Sequence, residues 1–327
     1  MIVDFQHHYT PKELFKDKPV DGKTLNYDKN GVPSYIFHPL LYDLDAHIAM
    51  MDTAGIDVAV LSCAEGMCNP SLDVSRFLND KMKEAERRYP GRFTGTAHAH
   101  PLGGKEAFLE MARCAHDLGF PGIVITSEID GKGLDSPELD PFWAEASRLG
   151  LYVFVHPALK LSFSEQFDVD DMARSVGREF SLVMATIRLI NGGVFDRFPD
   201  LRLQMAHLSG GIASVLGRIR SYQDKDFWGT QGNAKHGRLP KRDFDHYLRE
   251  RIVFDTAGFC GAVSSVKTAL VELDPARIVF GSDYPQEIRD PVAVRDFVNG
   301  LRALGNTGTA ILTGNRTLLI DAKARAA

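Results

Sequence analysis

Histidine and carboxylate side chains recur in this 327-residue chain just after short apolar runs. The first run, Ile2-Val3-Asp4-Phe5, leads into Gln6, His7 and His8 and is broken at Pro11. Side chains alternate along a strand, so Gln6 and His8 share one face and His7 takes the other. Runs at 58–62, 93–97 and 122–126 lead to Glu65, to His98 and His100, and to Glu128 and Asp130. Those at 151–155 and 201–206 end on His156 and His207; those at 252–255 and 278–281 bring Asp255 and Asp283. Polar groups at the ends of buried strands are costly unless something consumes them. Imidazole and carboxylate together suit a divalent zinc, manganese or iron ion. The bland alternative for any one histidine is a hydrogen-bonded core residue.

For these groups to meet, the elements between them must return each strand to the same end. Helical stretches are expected at 73–89, 104–118, 138–149, 170–190, 210–222, 242–250 and 261–272. An earlier helix is capped by Asp43 or Asp45, carries Leu44, Ile48 and Met51 at helical spacing, and ends near Gly55. Eight short apolar strands separated by amphipathic helices predict a parallel sheet closed into an α/β (β/α)8 TIM barrel. One domain spans 1–327, with no linker or shift in composition. Residues 12–42, rich in Pro, Gly, Lys and Asp, read as an irregular excursion after strand one, a lid or insertion. Residues 290–320 read as two extra helices on the outside. Active sites of this fold lie at the carboxyl ends of the strands, which gathers the strand-end residues at one mouth.

Bulk composition narrows the function. Apolar residues make up 44% and charged residues 25%, which suits a soluble globular core. A net charge of -5 without a Lys/Arg-rich run argues against nucleic acid or a membrane surface as partner. The chain enters its first strand without a basic or apolar leader, so a cytoplasmic location is expected. Cys63, Cys68, Cys114 and Cys260 have no zinc-knuckle spacing and read as reduced thiols. Trp143 fits the apolar pattern of a helix, whereas Trp228 lies in an irregular stretch.

The ordered set Asp4-Phe5-Gln6-His7-His8, Phe154-Val155-His156-Pro157, His207-Leu208-Ser209-Gly210-Gly211 and Phe280-Gly281-Ser282-Asp283-Tyr284-Pro285 resembles the amidohydrolase superfamily. More narrowly it is similar to the branch of aminocarboxymuconate semialdehyde and γ-resorcylate decarboxylases. Gly119-Phe120-Pro121-Gly122 and the stretch from Gly192 to Pro199 look like that branch too. The resemblance implies metal ligands at Gln6, His8, His156 and Asp283, with His207 and Asp283 catalytic. Gln6 departs from the pattern, where the family has His or, in some decarboxylases, Glu. It binds the metal through its amide oxygen, or it only hydrogen-bonds a metal-bound water. His47, Glu65, His98, His100 and Glu128 are candidates for binding substrate. His47 occupies the helix in which the branch carries a carboxylate-gripping arginine, and Ala46-His47-Ile48-Ala49 has none.

The activity the resemblance implies is metal-dependent, non-oxidative decarboxylation of a small aromatic or unsaturated carboxylic acid. The cofactor is one divalent ion, zinc or manganese; no glycine-rich dinucleotide loop calls for an organic one. Asp283 or a metal-bound water delivers the proton, and His207 stabilises developing charge. The runner-up is hydrolysis of an amide, a lactone or a vinylogous carbon–carbon bond on the same scaffold. The strand-four end, Thr126-Ser127-Glu128, offers no lysine to bridge two metals, which favours decarboxylation. A third reading is a metal-depleted, non-catalytic barrel. The resemblance also implies a homodimer.

Overall fold

The computed structural model describes residues 1–15, 22–28, 30–159, 165–233, 235 and 240–320. Eight strands carry the fold: β1 (Val3–His8), β2 (Val58–Ser62), β3 (Phe93–Gly95), β4 (Gly122–Thr126), β5 (Tyr152–His156), β6 (Arg202–Met205), β7 (Ile252–Asp255) and β8 (Ile278–Val279). All neighbours pair in parallel, β1 to β3 in one ladder and β4 to β8 in another. Bridges Ala97–Ile123 and His7–Tyr284 join the two ladders into a ring. At the second seam Phe5 N donates to Phe280 O (2.9 Å), His8 N to Tyr284 O (2.8 Å) and Asp283 N to Gln6 O (2.9 Å). The sheet is therefore a closed eight-stranded barrel whose strands follow chain order, as the alternation predicts.

β4, β5 and β7 are buried along their whole lengths, as strands must be that face side chains inside and helices outside. Helix α1 (Leu44–Ala54) is capped by the Asp43 side chain, which accepts from Ala46 N, and stops at left-handed Gly55. Four more helices, α2 (Leu72–Arg88), α3 (Gly104–His116), α4 (Asp140–Arg148) and α5 (Arg178–Asn191), follow β2 to β5. Trp143 is fully buried on α4 and donates to Leu134 O.

Three expectations need correction. The excursion at 12–42 is not wholly irregular: Thr24–Tyr27 and Pro33–Phe37 form an antiparallel hairpin, and Phe15, Tyr35, Phe37 and Leu41 pack into a small core of their own. Pro19 lies outside the described residues. The helix expected at 210–222 begins only at Leu216, because five consecutive residues from His207 to Gly211 have positive φ. After Pro291–Arg302 the second outer helix is a series of short turns.

Candidate active site

The mouth of the barrel opens into a cavity of about 430 Å³, lined among others by His8, His156, Glu179, His207 and Asp283. β1 supplies His8, β5 supplies His156, and the turns after β6 and β8 supply His207 and Asp283. His8 Nε2 lies 2.7 Å from Asp283 Oδ1, and His207 Nε2 lies 3.7 Å from Asp283 Oδ2. The His8 and His156 rings stand 5.2 Å apart at their centroids, and His156 and His207 6.1 Å. His156 Nδ1 donates to Pro157 O at 2.8 Å, so its Nε2 carries the lone pair. Burial first, then the neighbouring His8 and His207, holds the His156 imidazole well below its ordinary pKa. Burial would raise the Asp283 carboxyl, but His8, His207 and His156 outweigh it and hold it below its usual range.

His207 is set by a residue that strand-end reasoning missed. Glu179, in the first turn of α5, places Oε1 2.8 Å from His207 Nδ1. Burial alone would lower the imidazolium pKa, yet Glu179, Asp283 and Asp255 together raise it to about 10. Asp255, fully buried at the end of β7, accepts from His207 N (3.0 Å), Gln204 Nε2 (2.8 Å) and Ala257 N (3.1 Å). Two glycines make room for this. A Cβ on Gly258 would fall 2.1 Å from the His207 ring, and one on Gly210 2.0 Å from Glu179 O. The first clears space for the imidazole; the second lets α5 approach closely enough for Glu179 to reach it.

Gln6 is fully buried and does not line the cavity. Its hydrogen-bonding contact is with His207, Nε2 to Nε2 at 3.0 Å, and its Oε1 has no partner among the described residues. A charged imidazole donates from both nitrogens, so a half-turn of the Gln6 amide gives Nε2 an acceptor and the orphaned oxygen a partner. His7 points the other way, as strand parity predicts. Its Nδ1 meets Asp4 Oδ2 at 2.9 Å and its Nε2 meets His47 Nδ1 at 3.0 Å. A register irregularity between Asp4 and His7 accompanies the Asp4–His7 contact.

The five residues suggested as substrate contacts do not line the cavity. His47 is fully buried between His7 and Leu40 O, neither a substrate group nor an ordinary surface residue of its helix. His98 is fully buried, accepting from Cys63 N at 3.0 Å. His100 is buried 3.4 Å from Asp130. Glu65 lies in the short turn after β2, and Glu128 in a two-residue hairpin strand beyond β4. Trp228 is partly exposed and stacks on Tyr222, away from the cavity.

Among the described residues, no three His, Cys, Asp or Glu side chains stand grouped as they would around a metal ion. The donors at the mouth nonetheless fit a divalent ion. His156 is neutral with a free lone pair. Asp283 Oδ1 is buried without a hydrogen-bond partner although His8 Nε2 is 2.7 Å away, the off-axis contact expected of two groups aimed at a common third.

Comparison with known proteins places the chain. The amidohydrolase family model matches residues 3–291. A 2-amino-3-carboxymuconate-6-semialdehyde decarboxylase of Dictyostelium discoideum is 32% identical over 224 residues, covering 66% of this chain and 58% of the relative. The chain thus spans less than two thirds of that relative's length. A γ-resorcylate decarboxylase of Rhodococcus jostii (strain RHA1) is 28% identical over 289 residues, covering 81% of this chain and 85% of the relative. A crystal structure of 5-carboxyvanillate decarboxylase from Novosphingobium aromaticivorans, complexed with manganese and 4-hydroxy-3-methoxy-5-nitrobenzoic acid, shares the fold. Its TM-score is 0.77 at 20% identity, with 97% of this chain and 95% of that chain covered. Matched over nearly its whole length, this chain belongs to the amidohydrolase family.

Proposed function

We propose that the protein is a metal-dependent, non-oxidative decarboxylase of a small aromatic or unsaturated carboxylic acid. The observation that carries this reading is the position of Asp283, a buried carboxylate between His8 and His207 at the cavity wall. Support comes from the decarboxylase relatives in Dictyostelium discoideum and Rhodococcus jostii. His8, His156 and Asp283 would hold a divalent manganese or zinc ion, which when bound polarises a substrate oxygen. Gln6 acts on His207.

In the reaction the carbon bearing the carboxyl group takes up a proton from Asp283. The carbon–carbon bond then breaks, its electron pair stays with that carbon, and carbon dioxide leaves. Asp283 is ionised in the free site, so it must first be protonated. His207, charged and 3.7 Å away, is the nearby group that can supply the proton. The Glu179 carboxylate keeps His207 oriented throughout. The hydrolase alternative lacks a comparable observation: Lys132, beyond the end of β4, sits in a small hairpin and pairs with Glu138 at 3.6 Å.

The test is carbon dioxide release from a panel of hydroxybenzoates and carboxymuconate analogues with manganese- or zinc-loaded protein. Turnover of at least one acid is expected, falling about 10²–10⁴-fold in Asp283→Asn. Turnover of lactones or amides with silence on every acid contradicts the reading.

A further inference from the structure

The Asp283 carboxylate has little to fix its direction, since Oδ1 has no hydrogen-bond partner among the described residues. Its aim is set by the backbone beneath it. That backbone is left-handed, with a φ of 57° at Asp283, a conformation that a non-glycine residue keeps only where its surroundings hold it. Three successive amides show what does so. Ser282 N donates to Asp4 Oδ1 at 2.9 Å, Asp283 N to Gln6 O at 2.9 Å, and Tyr284 N to Ser282 Oγ at 3.1 Å. Ser282 Oγ donates in turn to Asp4 Oδ2 at 2.5 Å. Two of the three amides therefore depend on one carboxylate, that of Asp4, which is fully buried on β1.

A second chain of contacts fixes Asp4. Leu40 O can only accept, so His47 Nε2 donates to it at 2.5 Å, and His47 Nδ1 is left to accept from His7 Nε2 at 3.0 Å. The other nitrogen of His7, Nδ1, donates to Asp4 Oδ2 at 2.9 Å. His7 and His47 are buried away from the cavity and take no part in the reaction above, so this chain is the use they have. We propose that Asp4 is a positioning residue for Asp283: through Ser282 it holds the turn that sets where the Asp283 carboxylate points, and His7 and His47 hold Asp4. The inference rests on the decarboxylase reading for what Asp283 does, but its test includes metal binding, which needs no turnover. Asp4 acts through backbone and does not line the cavity, so its loss falls on the aim of Asp283 and not on the grip on substrate.

Manganese affinity by isothermal titration calorimetry, with steady-state kinetics at saturating manganese, provides the test. Asp4→Ala is expected to weaken manganese about 10–100-fold and to lower kcat by a similar factor, with KM within about threefold. Ser282→Ala loses one hydroxyl of the set and should cost about fivefold in affinity and in kcat. Asp4→Asn keeps an oxygen for Ser282 N and should recover most of the affinity lost in Asp4→Ala. His98→Gln, a buried change elsewhere on the rim, is the control and should leave manganese affinity within about twofold. If Asp4→Ala does not fold, Ser282→Ala decides. Affinity and kcat both within about twofold in Ser282→Ala, or an equal loss in His98→Gln, overturn the positioning role. If the unaltered protein binds manganese but releases carbon dioxide from no acid, while the affinities keep this order, the decarboxylase reading falls and the positioning role stands.

Discussion

Glu179 shows what a strand-end reading can miss at the scale of single residues. His8, His156, His207 and Asp283 were legible as positions at the mouth because each follows a short apolar run, and a barrel brings such positions together, whereas Gln6 lies behind the cavity wall on His207. Glu179 is one of many helical glutamates, and nothing in its spacing marks it. Only the rule that the first turn of each following helix opens on the same rim would have drawn attention to it. Glu179→Gln keeps the shape and removes the charge that holds His207. We expect kcat to fall about 10–100-fold with KM within about threefold, measured by steady-state kinetics; unchanged kcat would remove Glu179 from the mechanism. His98 teaches the converse, since a strand-end histidine here is structural. Burial lowers its pKa to about 4, and its Nε2 must stay unprotonated to accept from Cys63 N. The unfolded chain therefore binds the proton first. Stability from neutral His98 is whole above pH 6.5 and is lost as pH falls toward about 4, a total of about 3 kcal/mol. Urea unfolding at pH 7 and pH 5 should show the decline, smaller in His98→Gln; equal slopes in both proteins would assign it elsewhere.

Among the elements, strands were more legible than turns. The runs 58–62, 122–126 and 252–255 coincide with β2, β4 and β7, because a strand buried on both faces is written as a continuous apolar segment. The turn after β6 departs from the expected helix because Leu208 and Ile212 are compatible with a helix start, whereas backbone sign leaves no trace in non-glycine residues. His207, Leu208 and Ser209 all adopt left-handed φ, at about 1–2 kcal/mol each. The surroundings hold them there: Ser209 N donates to Ala206 O at 2.8 Å, and Ser209 Oγ meets Thr186 Oγ1 at 2.5 Å. Gly258 depends on the same turn. In Gly258→Ala the new methyl group must displace the His207 ring, and its φ of 83° is unfavourable for alanine. The expected result is a loss of about 2–3 kcal/mol in urea unfolding and at least about a hundredfold loss of turnover. Full activity in that variant would show that the ring has no fixed place.

For the whole molecule, closure of the barrel is the fact from which the site follows. The two seams, at Ala97–Ile123 and His7–Tyr284, are thin, yet the second brings Gln6 beside Asp283 across 277 positions of sequence. The alternation of eight strands and helices made the closed sheet legible in advance. The register that sets Gln6 on His207 was not, because it depends on how the last strand meets the first. The central claim is that His8, His156 and Asp283 hold one cation at this rim. The most direct test is metal content by inductively coupled plasma mass spectrometry after dialysis against manganese, for the unaltered protein and for His8→Ala/His156→Ala. We expect about one equivalent in the first and less than about a tenth in the second. Less than a tenth of an equivalent in the unaltered protein, with zinc as well as manganese, would contradict the claim.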